Sequence, residues 1–171
     1  MTTTSSAPPA PPRSTAGESS RRTLRFTSIE QALAEARRLV GAEQAGSLRR
    51  TGNWTLGQAL GHLAAWAGYC FDGYPIRTPR VIGWLLRLRR HRFLHAAMPA
   101  GVHIPGVKGG TVATEELSTD EGYARFRRSF ERLRDEGPMD RHPFLGRMSH
   151  DDWIALNLRH AELHLSFFVA E

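Results

Sequence analysis

The sequence is short of the residues on which several common functional scaffolds depend. Cys70 is the one cysteine among 171 residues, which excludes an internal disulfide framework and any CxxC zinc or redox motif. No apolar run approaches the roughly 20 residues that a membrane-crossing helix needs, and no strand-like alternation persists over a useful length. The N-terminus lacks an apolar signal core, because Arg21 and Arg22 lead into a polar helix start. Acidic residues are missing from Gly73 to Thr114, a stretch that holds six arginines and Lys108. The formal net charge of +6 therefore originates there, since the rest of the chain carries 16 basic and 17 acidic residues. Neither a Ser-His-Asp arrangement nor a phosphate-cradling glycine loop is evident, and Gly106-Val107-Lys108-Gly109-Gly110 lacks the Walker spacing. These absences lead to the expectation of a soluble, cytoplasmic protein.

What is present reads as helix. Of the first 20 residues, 16 are Ser, Thr, Ala or Pro, too little apolar surface to offset ordering, so residues 1–22 are expected to form a disordered tail and 23–171 one domain. Thr27-Ser28-Ile29-Glu30 has the form of a capping box, and Ile29, Leu33, Ala36, Leu39 and Val40 follow at helical spacing, which predicts a helix over about 28–43. A second box at Thr55-Leu56-Gly57-Gln58 opens a helix to about Phe71, with Leu56, Ala59, Leu60, Leu63, Ala67 and Cys70 as its apolar stripe. Residues 78–119 form a long connection with a short helix expected near 81–97. Ser118-Thr119-Asp120 opens a third main helix with Tyr123, Phe126, Phe130 and Leu133 on its core face, and Ser149-His150-Asp151-Asp152 opens a fourth. The expected fold class is all-α: a four-helix bundle with a long crossover between helices 2 and 3.

The fourth helix carries the chemistry. At 100° per residue, Trp153, Leu156, His160, Leu163, His164 and Phe167 fall within an arc of about 100°, with His160 and His164 near its middle. Two imidazoles one turn apart on an apolar face need partners for their ring nitrogens. A metal ion supplies one, and bonds to carbonyls or to an Asp supply the alternative. His160-Ala161-Glu162-Leu163-His164 is not a zincin motif, because Glu162 stands two residues after the first His instead of one. Glu162 is expected opposite the histidines, in water. A third ligand could come from His62, at the edge of the second helix's stripe, although that position also suits a residue half in water. Gly57, Gly61 and Gly68 lower helix propensity and permit close approach by a neighbour or ligand. Trp54, Trp66 and Trp153 are candidates to flank a pocket, with core packing as the alternative. Cys70 reads as a small buried residue. His91, His95, His103, His142 and His150 read as surface or turn residues.

Two motifs in order add a resemblance. Gly52-Asn53-Trp54-Thr55-Leu56-Gly57-Gln58-Ala59-Leu60-Gly61-His62-Leu63 resembles the first motif of the DinB-like superfamily, especially a branch whose domain has no known function. His142-Pro143-Phe144-Leu145-Gly146, Ser149, Trp153, His160, His164 and Phe167 resemble the second, and the likeness runs from about Thr23 to Val169. It implies a four-helix bundle holding a divalent metal on three histidines, roles that fall on His62, His160 and His164. It also implies a pocket at the remaining coordination positions. Relatives include transferases and isomerases that use a low-molecular-weight thiol such as bacillithiol or mycothiol, and relatives often dimerise. In that branch a further His stands where this chain has Leu163, and a Gln where it has Ser166, so no role is carried to either.

Three His ligands with an open position describe a catalytic site in which a metal lowers the pKa of bound water, polarises a carbonyl or takes a thiolate. Zinc is the first expectation, and nickel, iron, manganese and copper also suit imidazole. The substrate is expected to be a small molecule, with the basic stretch as a reason for an anionic one. The alternative is a non-catalytic bundle that binds an anion, a nucleic acid or a membrane surface through the Arg-rich residues 77–92. Arginines scattered around the helix and the lack of a recognition motif disfavour nucleic acid.

Overall fold

The computed structural model of the chain describes residues 21–76, 80–104, 107 and 109–171. Met1–Ser20, and with them nearly all of the expected tail, lie outside the described residues, as does Arg77 at the start of the Arg-rich stretch. Arg21 and Arg22, also assigned to the tail, do have defined places. The Arg22 backbone N–H donates to the Ser166 carbonyl at 3.1 Å, and its guanidinium donates to Glu35.

The described chain is mostly helical. Four helices have 16 or 17 residues: α1 (Ile29–Gln44), α2 (Leu56–Asp72), α5 (Thr119–Asp135) and α6 (His150–Leu165). The expected short helix of the crossover is divided at Arg89 into α3 (Arg80–Leu88) and α4 (Arg90–His95). Hydroxyl caps explain where the long helices begin. Ser28, Thr55, Ser118 and Ser149 each accept a bond from the backbone N–H three residues on. At α1 the cap is Ser28, one residue later than the Thr27–Glu30 reading, and the Gln31 side chain accepts from the Thr27 N–H instead of from the cap's own. Ser149 and Asp152 form a full reciprocal box.

Strands are present, against the sequence reading. β1 (Leu48–Arg50) pairs antiparallel with β4 (Phe168–Ala170), Arg49 opposite Val169. β2 (Arg141–His142) and β3 (Gly146–Arg147) form a hairpin. Two or three residues are too few to show alternation, which is why the pattern missed them.

The core lies among the four long helices. α2 contributes Leu56, Ala59, Leu60, Leu63, Ala67 and Cys70, α5 contributes Phe126, Phe130 and Leu133, and α1 contributes Ile29, Ala32, Ala36, Leu39 and Val40. The closest approach joins α2 to α5. A Cβ on Gly122 would stand 2.4 Å from the Gly57 carbonyl oxygen, and one on Gly57 would stand 2.3 Å from that of Leu117. Only hydrogen fits at either position. Gly68, by contrast, faces open space with Asp72 Oδ2 as its nearest neighbour at 3.9 Å, so it serves no close approach.

α6 is rotated relative to its sequence reading. Its buried residues are Trp153, Asn157, Leu158, Arg159, Ala161, Glu162 and Leu165. The apolar core face, Trp153 through Leu165, is turned roughly 100° from the centre of the histidine arc. His160 and His164 thus sit at the edge of the core, on the α2 side, and are partly exposed. Glu162, expected in water, is buried instead, where it accepts from the Phe26 N–H and from Arg159. Arg159 in turn donates to the Phe26 carbonyl. The extended segment preceding α1 covers this pair, and the covering segment, not helix periodicity, accounts for the burial.

Candidate metal centre

Each of the three histidines identified from sequence is placed by a different local cause. His62 projects from the second turn of α2, next to Leu63 and Ala64 on the buried side, and is 2% exposed. His160 and His164 are one turn apart on α6 and meet it across the helix seam. His62 Nε2 lies 3.3 Å from His160 Nε2, and His164 Nε2 lies 3.1 Å from His160 Nε2. One ligand atom from each residue falls within 4.8 Å of the other two. The structure therefore brings together all three, from positions almost 100 residues apart.

The nitrogen chemistry of this cluster is one that a cation could satisfy. His62 Nδ1 donates to the Val112 carbonyl at 3.0 Å, with that of Ala113 at 3.3 Å, which leaves Nε2 as a bare lone pair turned to the centre. His160 Nε2 contacts both neighbours, and one proton on it satisfies one contact only. At least one pair of ring nitrogens must then face each other without a linear hydrogen bond. An ion bound by all three lone pairs removes the conflict. Ligand nitrogens about 2.0–2.1 Å from a tetrahedral ion stand roughly 3.3 Å apart, close to the two separations from His160 Nε2. Three histidines close enough to bind a metal are thus a property of the fold.

Burial keeps these rings neutral. It lowers the pKa of His62 to about 4, against the opposing effect of the two carbonyls. His160 is held well below the usual imidazole range by burial and then by the neighbouring rings, and His164 by burial and then by His62. No Asp or Glu joins the cluster among the described residues.

Aromatic rings wall the site. Trp54 stacks on His164 with centroids 5.1 Å apart and planes within 9°, and meets His62 edge-on. Trp66 packs against His160 at 5.3 Å, and its buried Nε1 has no hydrogen-bond partner among the described residues. Trp153 belongs elsewhere: it is 1% exposed, donates to the Met139 carbonyl and packs on Tyr74 and His142. Gly61 admits Leu117, whose Cδ1 would stand 2.5 Å from a Cβ there. Ser166 turns its hydroxyl to the Leu163 carbonyl, away from the histidines.

Sequence reasoning missed two parts of this region. The Val112 and Ala113 carbonyls orient His62, yet a backbone acceptor leaves no residue signature. Ala113 holds φ at 57°, unusual for a residue with a side chain. His142, read as a surface or turn residue, ends β2 at the mouth of the hairpin turn and is buried. Its Nδ1 accepts from the N–H groups of Phe144 and Leu145, and burial lowers its pKa to about 4. Cys70 is buried as expected and accepts from Asn157.

Comparison with known proteins gives one family. Nothing among curated proteins or solved structures matches the chain. A family profile described as "Protein of unknown function (DUF1569)" matches residues 18–171, a span that includes all three histidines and every described helix. The chain belongs to the DUF1569 family.

Proposed function

We propose that this protein is a DinB-like four-helix bundle, built on α1, α2, α5 and α6, that holds a divalent metal on His62, His160 and His164 and acts as a metalloenzyme. The observation that carries the reading is the convergence of three neutral Nε2 atoms on one point. Zinc is the first expectation for three imidazoles, and nickel, iron or manganese are alternatives for the same donor set. An ion bound there supplies Lewis acidity toward water, a thiol or a carbonyl.

The chain's own residues define what else enters. Three neutral ligands leave the charge of a divalent ion uncompensated, and the apolar walls raise the strength of that charge. An anionic or readily deprotonated small molecule is favoured at the open side, which supports a thiol-dependent transferase or isomerase, with a hydrolase as the second form. Trp54 shields His164 from water on one face. Trp66, packed on His160, keeps a buried Nε1–H without a partner among the described residues, a donor suited to an acceptor on the substrate. His62, tied to Val112, keeps one tautomer and one orientation.

The test is metal content of protein prepared without a His tag. About one equivalent of transition metal after reconstitution is expected, and His160→Ala should bind less than about 0.2 equivalents at the same free-metal concentration. Less than about 0.2 equivalents in the unaltered protein overturns the reading.

A further inference from the structure

The crossover carries a surface that the metal centre does not explain. Successive residues of α3 lie 100° apart, so Trp84, Leu85 and Leu88 fall within one arc of about 100°. They are 57%, 50% and 66% exposed. The opposite side of the same helix faces inward. Gly83 is buried near the Pro143 carbonyl, and Leu86 packs against the core cluster. The helix is thus seated on the molecule by one face and offers three large apolar side chains on the other.

Positive charge borders this arc. Arg87, Arg89 and Arg92 are exposed, and only Arg90 among the described arginines here is paired, to Asp152 of α6. No acidic residue occurs from Gly73 to Thr114. α4 is fixed beneath by the buried Leu94 and by the Arg90–Asp152 bond, so the two short helices form an anchored platform.

Three occupants can be compared on this evidence. The segment 1–20 is Ser, Thr, Ala and Pro-rich with no large apolar residue besides Met1, so it cannot cover the arc. A second copy of the same face brings the same charge and repels. An anionic bilayer matches both halves: Trp and Leu partition to the acyl boundary while arginine guanidinium groups meet phosphates.

We infer that the α3–α4 platform docks the protein peripherally on an anionic phospholipid surface, with Trp84, Leu85 and Leu88 inserted and Arg87, Arg89 and Arg92 at the headgroups. No described helix is long and apolar enough to cross a membrane, and interfacial docking needs no such helix. The inference is independent of the metal.

Vesicle co-sedimentation of the full chain tests it, with phosphatidylcholine alone and with phosphatidylcholine containing phosphatidylglycerol. Binding is expected only to the anionic vesicles, with weakening as salt rises and a blue shift of Trp84 emission. Arg89→Gln with Arg92→Gln should weaken partitioning about 25-fold, taking roughly a factor of five per basic residue. Trp84→Ser with Leu88→Ser should weaken it at least about tenfold while leaving helix content unchanged. The inference is overturned by absence of binding to anionic vesicles at low salt. It is equally overturned if the Trp84/Leu88 variant binds as well as the parent. Self-association that disappears in that variant without any vesicle binding would assign the face to a second copy instead. Salt-dependent DNA or RNA binding without vesicle binding would assign it to nucleic acid.

Discussion

At the scale of single residues, burial decides what each histidine can do. His142 is the cleanest case because it lies outside the candidate metal centre and its Nδ1 is committed to two backbone N–H groups. Burial lowers its pKa to about 4, whereas an unfolded chain protonates histidine near 6.5. Between those values the unfolded chain takes up the proton and the folded one does not. Stability is therefore full above about pH 6.5 and falls as the pH drops toward 4, by about 3 kcal/mol for this one group. His142→Asn keeps an acceptor for the turn and removes the titration. Denaturant unfolding at several pH values should show a shallower acid slope for the variant, by close to one proton. Identical slopes would mean that His142 protonates in the folded state as easily as in the unfolded one.

At the scale of elements, two glycines of α2 make opposite predictions. Gly57→Ala drives a methyl into the Leu117 carbonyl and should destabilise by about 1–3 kcal/mol, since the backbone of the incoming α5 must move. Gly68→Ala meets open space and should stabilise by about 0.5–1 kcal/mol through helix propensity. Thermal unfolding of the two variants checks both signs, and equal effects would refute the close contact at Gly57. The same contrast shows what the sequence makes legible. Hydroxyl caps and the 3.6-residue stripe of α2 identify the helix and its core face, because both signals are local. The glycines look alike in sequence, and only the arrival of α5 separates them. Likewise His160 and His164 are legible as a pair, since their spacing is a property of one helix. The burial of Glu162 depends on residues 22–26 lying across α6, a contact more than 130 residues distant that no periodicity encodes. The short strands escaped for the plain reason that two or three residues make no pattern.

At the scale of the whole molecule, the three imidazoles connect parts of the chain that otherwise meet through apolar packing and a few polar contacts, such as Asn157 to Cys70 and Gln58 to the Thr114 carbonyl. His62 belongs to α2, His160 and His164 to α6, and the carbonyls that orient His62 belong to the crossover. A ligand bound to all three stabilises the folded state in proportion to its occupancy, and here it does so by tying two helices together. The bond from His62 to Val112 extends this to the loop after α4. Among its described residues none belongs to the apolar core cluster, so its opening is governed by few apolar contacts. Fixing the ring fixes the carbonyls that grip it. Nicking by a protease within residues 96–118 should consequently slow several-fold on addition of zinc to the unaltered chain, and stay at its original rate in His62→Ala. A clipping rate indifferent to the ion in both would mean that the two are mechanically unlinked. Slowing in the unaltered chain alone would make the segment that orients the His62 ring a latch, closed by an ion held on that ring.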